Sequence, residues 1–232
     1  DNSKVVATDS MKNTVYVLAA ENPLSDIESF AKTLCSHFLT QYEHVAEVEV
    51  RIEEDLWMRI EHEGREHAHA FVSAGKEKRT TLVYNDRKAL TITSGIEDLV
   101  VLKTTASEFW GFIRDRYTTL PEARDRIFAT TVQASWPYGK GNQNFNACYE
   151  NIRNAILNTF ARHHSLSVQQ TLYEMGEEAL KVCPEIDEIT IALPNQHRIP
   201  FNLSPFGLEN KNEIFVPTEE PYGLITGTIR RK

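Results

Sequence analysis

The stretch Val45-Ala46-Glu47-Val48-Glu49-Val50-Arg51-Ile52-Glu53 constrains this chain most. From Ala46 on, apolar and charged residues alternate without a break. A period of two puts all the apolar side chains on one face, so this is a strand with its other face in water. Just upstream the period is different. Ile27, Phe30, Ala31, Leu34 and Phe38 recur at helical spacing. A chain that changes from one period to the other this sharply must lay helices on an antiparallel sheet.

The rest follows the same alternation of types. A first helix is expected over 8–20, with Thr8, Asp9 and Ser10 as N-cap candidates. Pro23 interrupts it, and a second helix runs from Ser25-Asp26 to Tyr42. Residues 67–72 and 79–84 read as separate strands joined by a turn at Gly75, with Lys76-Glu77-Lys78-Arg79 as a solvated hairpin tip. Strands are also expected at 90–95, 99–103 and 127–136, followed by a loop over 137–142. Two helices follow, one carrying Ile152, Ile156 and Phe160, the other opening at Ser165 or Ser167 and ended by Pro184. Residues 188–193 and 222–229 are the last strands.

A helix pair followed by a strand pair thus occurs twice, which reads as a duplicated α+β unit. The units are drawn at 1–88 and 89–232. The second has strands ahead of its helices and the first has none, so the first is expected to lack its opening strand pair. The absence of an initiator Met at Asp1 fits that expectation.

Charge and cysteine content narrow the function classes. The 232 residues carry a net charge of −8, which argues against a nucleic-acid partner. No apolar run reaches the roughly 20 residues of a membrane span. Cys35, Cys148 and Cys183 stand far apart without CxxC spacing, against a disulfide framework or a zinc knuckle. A reducing compartment, the cytoplasm, is the simplest reading; Lys232 is not preceded by a Ser-Lys-Leu signal, and a peroxisomal protein is the alternative if the source is eukaryotic and the C-terminus is truncated. His62, His67 and His69 lack a third ligand at zinc spacing and read as surface or core histidines. His163-His164 reads as a helix C-cap.

Several polar residues sit where chemistry can be placed. Arg126 stands just before an apolar strand, where an Arg is either a surface charge or a planar fork for a planar anion. Gln169 lies in the first turn of a helix. Asn195-Gln196-His197 follows a strand end. Phe109 is an aromatic that either packs in the core or stacks on a flat ring.

Ordered segments along the chain resemble the urate oxidase (uricase) family of the tunnelling-fold (T-fold) superfamily. They are Val6-Ala7-Thr8-Asp9-Ser10-Met11-Lys12-Asn13-Thr14-Val15-Tyr16, Val101-Leu102-Lys103-Thr104-Thr105, Phe109-Trp110-Gly111-Phe112, Arg114-Asp115 with Tyr117-Thr118-Thr119-Leu120, and Asp125-Arg126-Ile127. Ser167-Val168-Gln169-Gln170-Thr171-Leu172-Tyr173, Leu193-Pro194-Asn195-Gln196-His197 and Pro221-Tyr222-Gly223-Leu224-Ile225 complete the set. The resemblance implies tandem T-fold repeats, an antiparallel sheet with helix pairs on one face, closed into a β-barrel by oligomerisation. It implies a homotetramer with sites between subunits, acting on urate and O2 to give 5-hydroxyisourate and H2O2 without metal or flavin.

It also implies residue roles. Arg126 and Gln169 clamp urate, Phe109 stacks on it and the Val168 backbone helps hold it. Thr8 and Asp9 reach in from a neighbouring subunit. Asn195 borders the dioxygen position, and His197 works with Thr8 in a proton relay. The family's relay Lys lies upstream of the Thr-Asp pair and has no counterpart here; Tyr138-Gly139-Lys140 resembles its context only by coincidence. That gap leaves a non-catalytic urate- or purine-binding protein as the alternative. A pterin- or GTP-processing T-fold enzyme ranks third, because Gln169 stands where those relatives use Glu.

Overall fold

The computed structural model describes residues 1–139, 143–218 and 222–231. Lys140, Gly141, Asn142, Pro221 and Lys232, on which parts of the sequence reading fall, lie outside the described residues. The order is α1 (Thr8–Glu21), α2 (Ile27–Gln41), β1 (Val48–His62), β2 (Arg65–Asn85), β3 (Leu90–Lys103) and β4 (Phe128–Pro137). Then come α3 (Phe145–Arg162), α4 (Val168–Val182), β5 (Glu188–Gln196), β6 (Arg198–Pro200), β7 (Phe215–Pro217) and β8 (Gly223–Arg230).

Six strands form one antiparallel sheet in the order β1-β2-β3-β4-β5-β8, with β6 and β7 paired separately. This is the expected α+β architecture. α2 lies on β1 and β2, α3 on β3, and α4 on β5 and β8. Along β4, Val132, Ala134 and Trp136 are buried towards the helices, while Gln133 and Ser135 between them are exposed on the other face. Trp136, Phe128, Ile152, Ile156, Met175, Ile189 and Ile191 form the densest part of the core. Each large apolar side chain buried there contributes about 1.5–3 kcal/mol. The sheet is open in one chain: β1 and β8 are free edges. Among the described residues, no helix is long and apolar enough to cross a membrane.

The helix starts refine the expected caps. Asp26 caps α2 by accepting from Ser29 N–H, and Ser167 caps α4 by accepting from Gln170 N–H. α1 differs. Its cap position is Ala7, without a side-chain bond, and Thr8 and Asp9 are its first two helical residues rather than caps. α1 buries none of its residues.

Three sequence expectations are corrected in the strands. Residues 67–72 and 79–84 belong to one continuous strand, β2, and Gly75 is not a turn. Its φ of +106° belongs to an irregularity where the pairing jumps from Asp55↔Lys78 to Trp57↔Ser73. The hairpin turn is Glu63-Gly64, with φ of +52° and +73°, the paired positive values of a tight two-residue hairpin turn.

Residues 90–95 and 99–103 are likewise one strand, β3. Ile92, Ser94 and Ile96 are buried, and so are Leu99 and Val101. Parity changes because a bulge with Asp98 at φ +55° adds one residue between them.

The supposed hairpin tip is the third correction. Lys76 and Lys78 stay at the surface side, but Glu77 and Arg79 are buried. Arg79 Nη2 donates to Glu28 Oε2 at 2.8 Å and its Nη1 to Asn146 Oδ1 at 2.7 Å. Ser94 Oγ donates to Glu28 Oε1 at 2.5 Å. Glu77 accepts from Arg153 at 2.6 and 2.7 Å and from Tyr149 Oη at 3.1 Å. These charges are tolerable in the interior only because each is paired and hydrogen-bonded. They tie α2, β2, β3 and α3 together.

Candidate functional site

The segment between β3 and β4 has little regular structure, so local bonds must place its side chains. Phe109 N–H donates to Ala123 O at 2.7 Å, and Ala123 N–H returns the bond at 2.9 Å. Arg126 N–H donates to Ser107 O at 2.9 Å, and Thr105 Oγ1 to Asp125 Oδ1 at 2.9 Å. The segment is therefore zipped on itself. It is also fastened to the turn before α4: Glu108 N–H donates to Ser165 O at 2.7 Å and Ser165 N–H to Ala106 O at 3.0 Å. Glu108 also accepts from Trp110 and faces His164 at 2.8 Å. Those two partners hold the Glu108 carboxyl below its usual range. The result sets Phe109 and Arg126 beside the start of α4.

α4 presents Val168 and Gln169 in its first turn. Ser167 occupies the amides of Gln170 and Thr171. Among the described residues, the amides of Val168 and Gln169 have no protein partner, and a helix start favours an anion there. From the other side comes the end of β5. Asn195 pairs with Thr130 of β4 and Gly223 of β8, which fixes its place, and His197 follows at the surface. His197 O accepts from Thr218 N–H at 3.1 Å.

These elements enclose a cleft of about 180 Å³. Phe109, Arg126, Val168, Gln169, Asn195 and His197 all line it, six residues drawn together from three segments. Leu120, Pro121, Ala123 and Ile225 complete an apolar wall. The first three lie in the zipped segment, whose sequence carries no periodic signal. Ile225 is an inward position of β8 and could have been read from its alternation.

Arg126 is the charged feature of the cleft. Burial pushes its guanidinium pKa down, though it remains a cation at any ordinary pH. Its Nε is buried without a partner, and among the described residues no carboxylate pairs with it. An Arg that is desolvated and unpaired is a waiting site for an anion. Its guanidinium carbon lies 5.7 Å from the centre of the Phe109 ring. Phe109 in turn stacks on Phe112 at 4.7 Å and 14°. A flat anion held by Arg126 therefore reaches over Phe109. Slab, fork, free amides and a carboxamide define a receptor for a planar, polar, negatively charged heterocycle.

Thr8 and Asp9 do not join the cleft. Both are exposed; Asp9 accepts from Asn13 at 3.0 Å and pairs with Lys12 at 3.1 Å. A larger and more open groove, about 920 Å³, runs between α1 and α2. None of the unpartnered buried polar atoms belongs to its lining, so it lacks the chemical focus of the smaller cleft. His67 and His69 face each other at 4.5 Å on β2. Cys148 and Cys183, distant in sequence, come together beside Glu185.

Comparison with known proteins is consistent along the whole chain. The family model described as uricase matches residues 1–84 and 92–226. Uricase of Oryctolagus cuniculus is 44% identical over all of this chain and 80% of its own length. Uricase of Dictyostelium discoideum is 41% identical, over all of this chain and 81% of its own. The crystal structure of uricase from Arthrobacter globiformis superposes with a TM-score of 0.93 at 44% identity, covering all of this chain and 79% of that one. A urate oxidase structure from Bacillus sp. TB-90 gives 0.87 at 27% identity, over all of this chain and 81% of that one.

Proposed function

The chain belongs to the uricase family and is a urate oxidase, and we propose that it holds urate in the cleft between Phe109, Arg126 and the start of α4. The observation that carries this assignment is the convergence of six residues from three segments around an unpaired, half-buried Arg126.

Urate is a flat anion with donors and acceptors around its rim. The Arg126 fork gives it charge-assisted bonds, and the Gln169 carboxamide supplies a matched donor and acceptor. The free amide of Val168 adds a donor at the positive end of α4. Phe109 supports the ring, worth roughly 1 kcal/mol on the aromatic-pair scale. Asn195, on the β5 side, stands where O2 or water would lie against the ring, and His197 handles a proton there. The residues bind, orient and deprotonate; urate and O2, with water, give 5-hydroxyisourate and H2O2.

The site is completed, in this reading, by Thr8 and Asp9 of a second copy. Two features support an assembly. β1 and β8 are open edges, which an oligomer closes. The far end of the β1–β2 hairpin exposes Trp57, Met58, Ile60, Phe71 and Val72, an apolar surface of the kind that marks an interface. Barrels closed by two copies and stacked as a tetramer accommodate both. The division into repeats at 1–88 and 89–232 follows the same reading, as does the cytoplasm as compartment, which suits three free cysteines.

Subunit mixing tests the shared site. Arg126→Ala and Thr8→Ala subunits, each strongly impaired at low urate concentration, are unfolded together and reassembled. Recovered loss of urate absorbance is expected, because mixed pairs regenerate one intact site. No recovery, with mixed oligomers shown by mass spectrometry, overturns the shared arrangement.

A further inference from the structure

We propose that Cys148, Cys183 and Glu185 form a binding site for a zinc-class divalent cation, at the end of α4 remote from the cleft. Their ligand atoms, two Sγ and a carboxylate oxygen, all lie within 4.8 Å of one another. Cys183 Sγ donates to Glu185 Oε2 at 3.3 Å. Two sulfurs and one oxygen suit zinc rather than magnesium or calcium, and water supplies the fourth corner of a tetrahedron.

The frame around these atoms is rigid. Cys148 lies in the first turn of α3, whose cap Asn144 accepts from Ala147 N–H. Cys183 is the C-cap of α4, its N–H bonded to Ala179 O. Arg231 Nη2 donates to the carbonyls of Leu180, Cys183 and Ile186 at 2.7, 3.1 and 2.9 Å. Gly139 N–H donates to Glu185 O at 3.3 Å. The ligands are thus held by α3, α4 and the turn into β5, three elements that the cation would join.

Access is one-sided. Both thiols are buried, whereas Glu185 is exposed, which gives an entry path and room for the water. Burial, then Cys183 and Glu185, push the Cys148 thiol far up; burial also raises Cys183. A dication reverses this, draws both sulfurs to thiolates and releases their protons. Its role at this distance from the cleft is to brace the fold.

Cobalt titration of the chelator-stripped full chain tests the site. One equivalent is expected to give thiolate-to-cobalt bands in the near ultraviolet and tetrahedral bands in the visible, both erased by added zinc. Cys148→Ser and Cys183→Ser each remove the near-ultraviolet bands. Glu185→Gln, a change at the surface, keeps circular dichroism and urate oxidation unchanged while weakening cobalt about tenfold or more. Absence of the bands at one equivalent overturns the site, as does their survival in Cys148→Ser. An intact mass short of two hydrogens also overturns it, because the pair is then a disulfide.

Discussion

The Arg126 guanidinium lies 5.7 Å from the centre of the Phe109 ring, with its Nε buried and unpartnered. The two side chains act on the same ligand in different ways, and their removal separates those ways. Arg126→Ala loses charge-assisted bonds of about 1.5–3 kcal/mol each, so KM rises on the order of tenfold to a hundredfold or more. Phe109→Leu loses only the stacking increment, about fivefold. Steady-state assay of urate absorbance reads both, and equal effects would discard the division of labour.

Gln169 distinguishes a neutral clamp from a charged one. Gln169→Ala removes the carboxamide, whereas Gln169→Glu sets a carboxylate against an anionic ligand. The Glu variant is therefore expected to lower kcat/KM further than the Ala variant at neutral pH. The opposite order would place Gln169 away from the ring.

Much of this architecture is legible in the sequence, and the misses have physical causes. The alternation of 46–53 gave β1, and Asp26 and Ser167 gave two helix starts. Gly75 misled, because a positive φ serves a strand irregularity as well as a turn. Glu77 and Arg79 look solvated in the sequence because their partners, Arg153 and Glu28, lie far away along the chain. The cleft has the same character. No local pattern brings 109, 126, 168 and 195 together, and only the order of family-like segments pointed to them. Cys148 and Cys183 met for the same long-range reason.

The Glu28–Arg79 pair is a sharp test of the interior. Arg79→Ala leaves a fully buried carboxylate unpaired, a cost of about 3–5 kcal/mol. Replacing both by Met at once is expected to cost less than the single change. Chemical denaturation at fixed protein concentration measures both; a double variant weaker than Arg79→Ala refutes the argument.

Gly176 of α4 is a close approach. A Cβ there would lie 2.6 Å from Ile229 Cγ1 and 2.9 Å from its Cβ. Gly176→Ala is expected to destabilise by about 1–3 kcal/mol despite its better helix propensity. Ile229→Ala should cost less in the Gly176→Ala background than in the native one, as thermal melts of the four proteins would show.

His163 gives stability a pH dependence. Burial and then the Lys103 ammonium, whose Nζ donates to His163 O at 2.5 Å, hold the imidazole pKa below its usual value. The unfolded chain takes up this proton from about pH 6.5, and the folded one resists it. Stability is therefore intact above that pH and declines below it until the folded-state pKa is passed. His163→Gln should flatten the acid side of a denaturation-midpoint profile; an unchanged slope removes His163 as its source.

The bulge at Asp98 makes β3 a counting device with a remainder of one. Ile96 and Leu99 both face the helices only because an odd residue sits between them. Deleting Asp98 would remove the bulge and leave Leu99 two places after Ile96, still facing the helices, whereas deleting a residue of the regular stretch beyond it, such as Val100, would push Val101 out and turn Leu102 inward. Away from the bulge, a chain with this sheet tolerates insertions and deletions along β3 in twos. The loss of one residue there scrambles the rest of the strand, and with it the segment that carries Phe109 and Arg126.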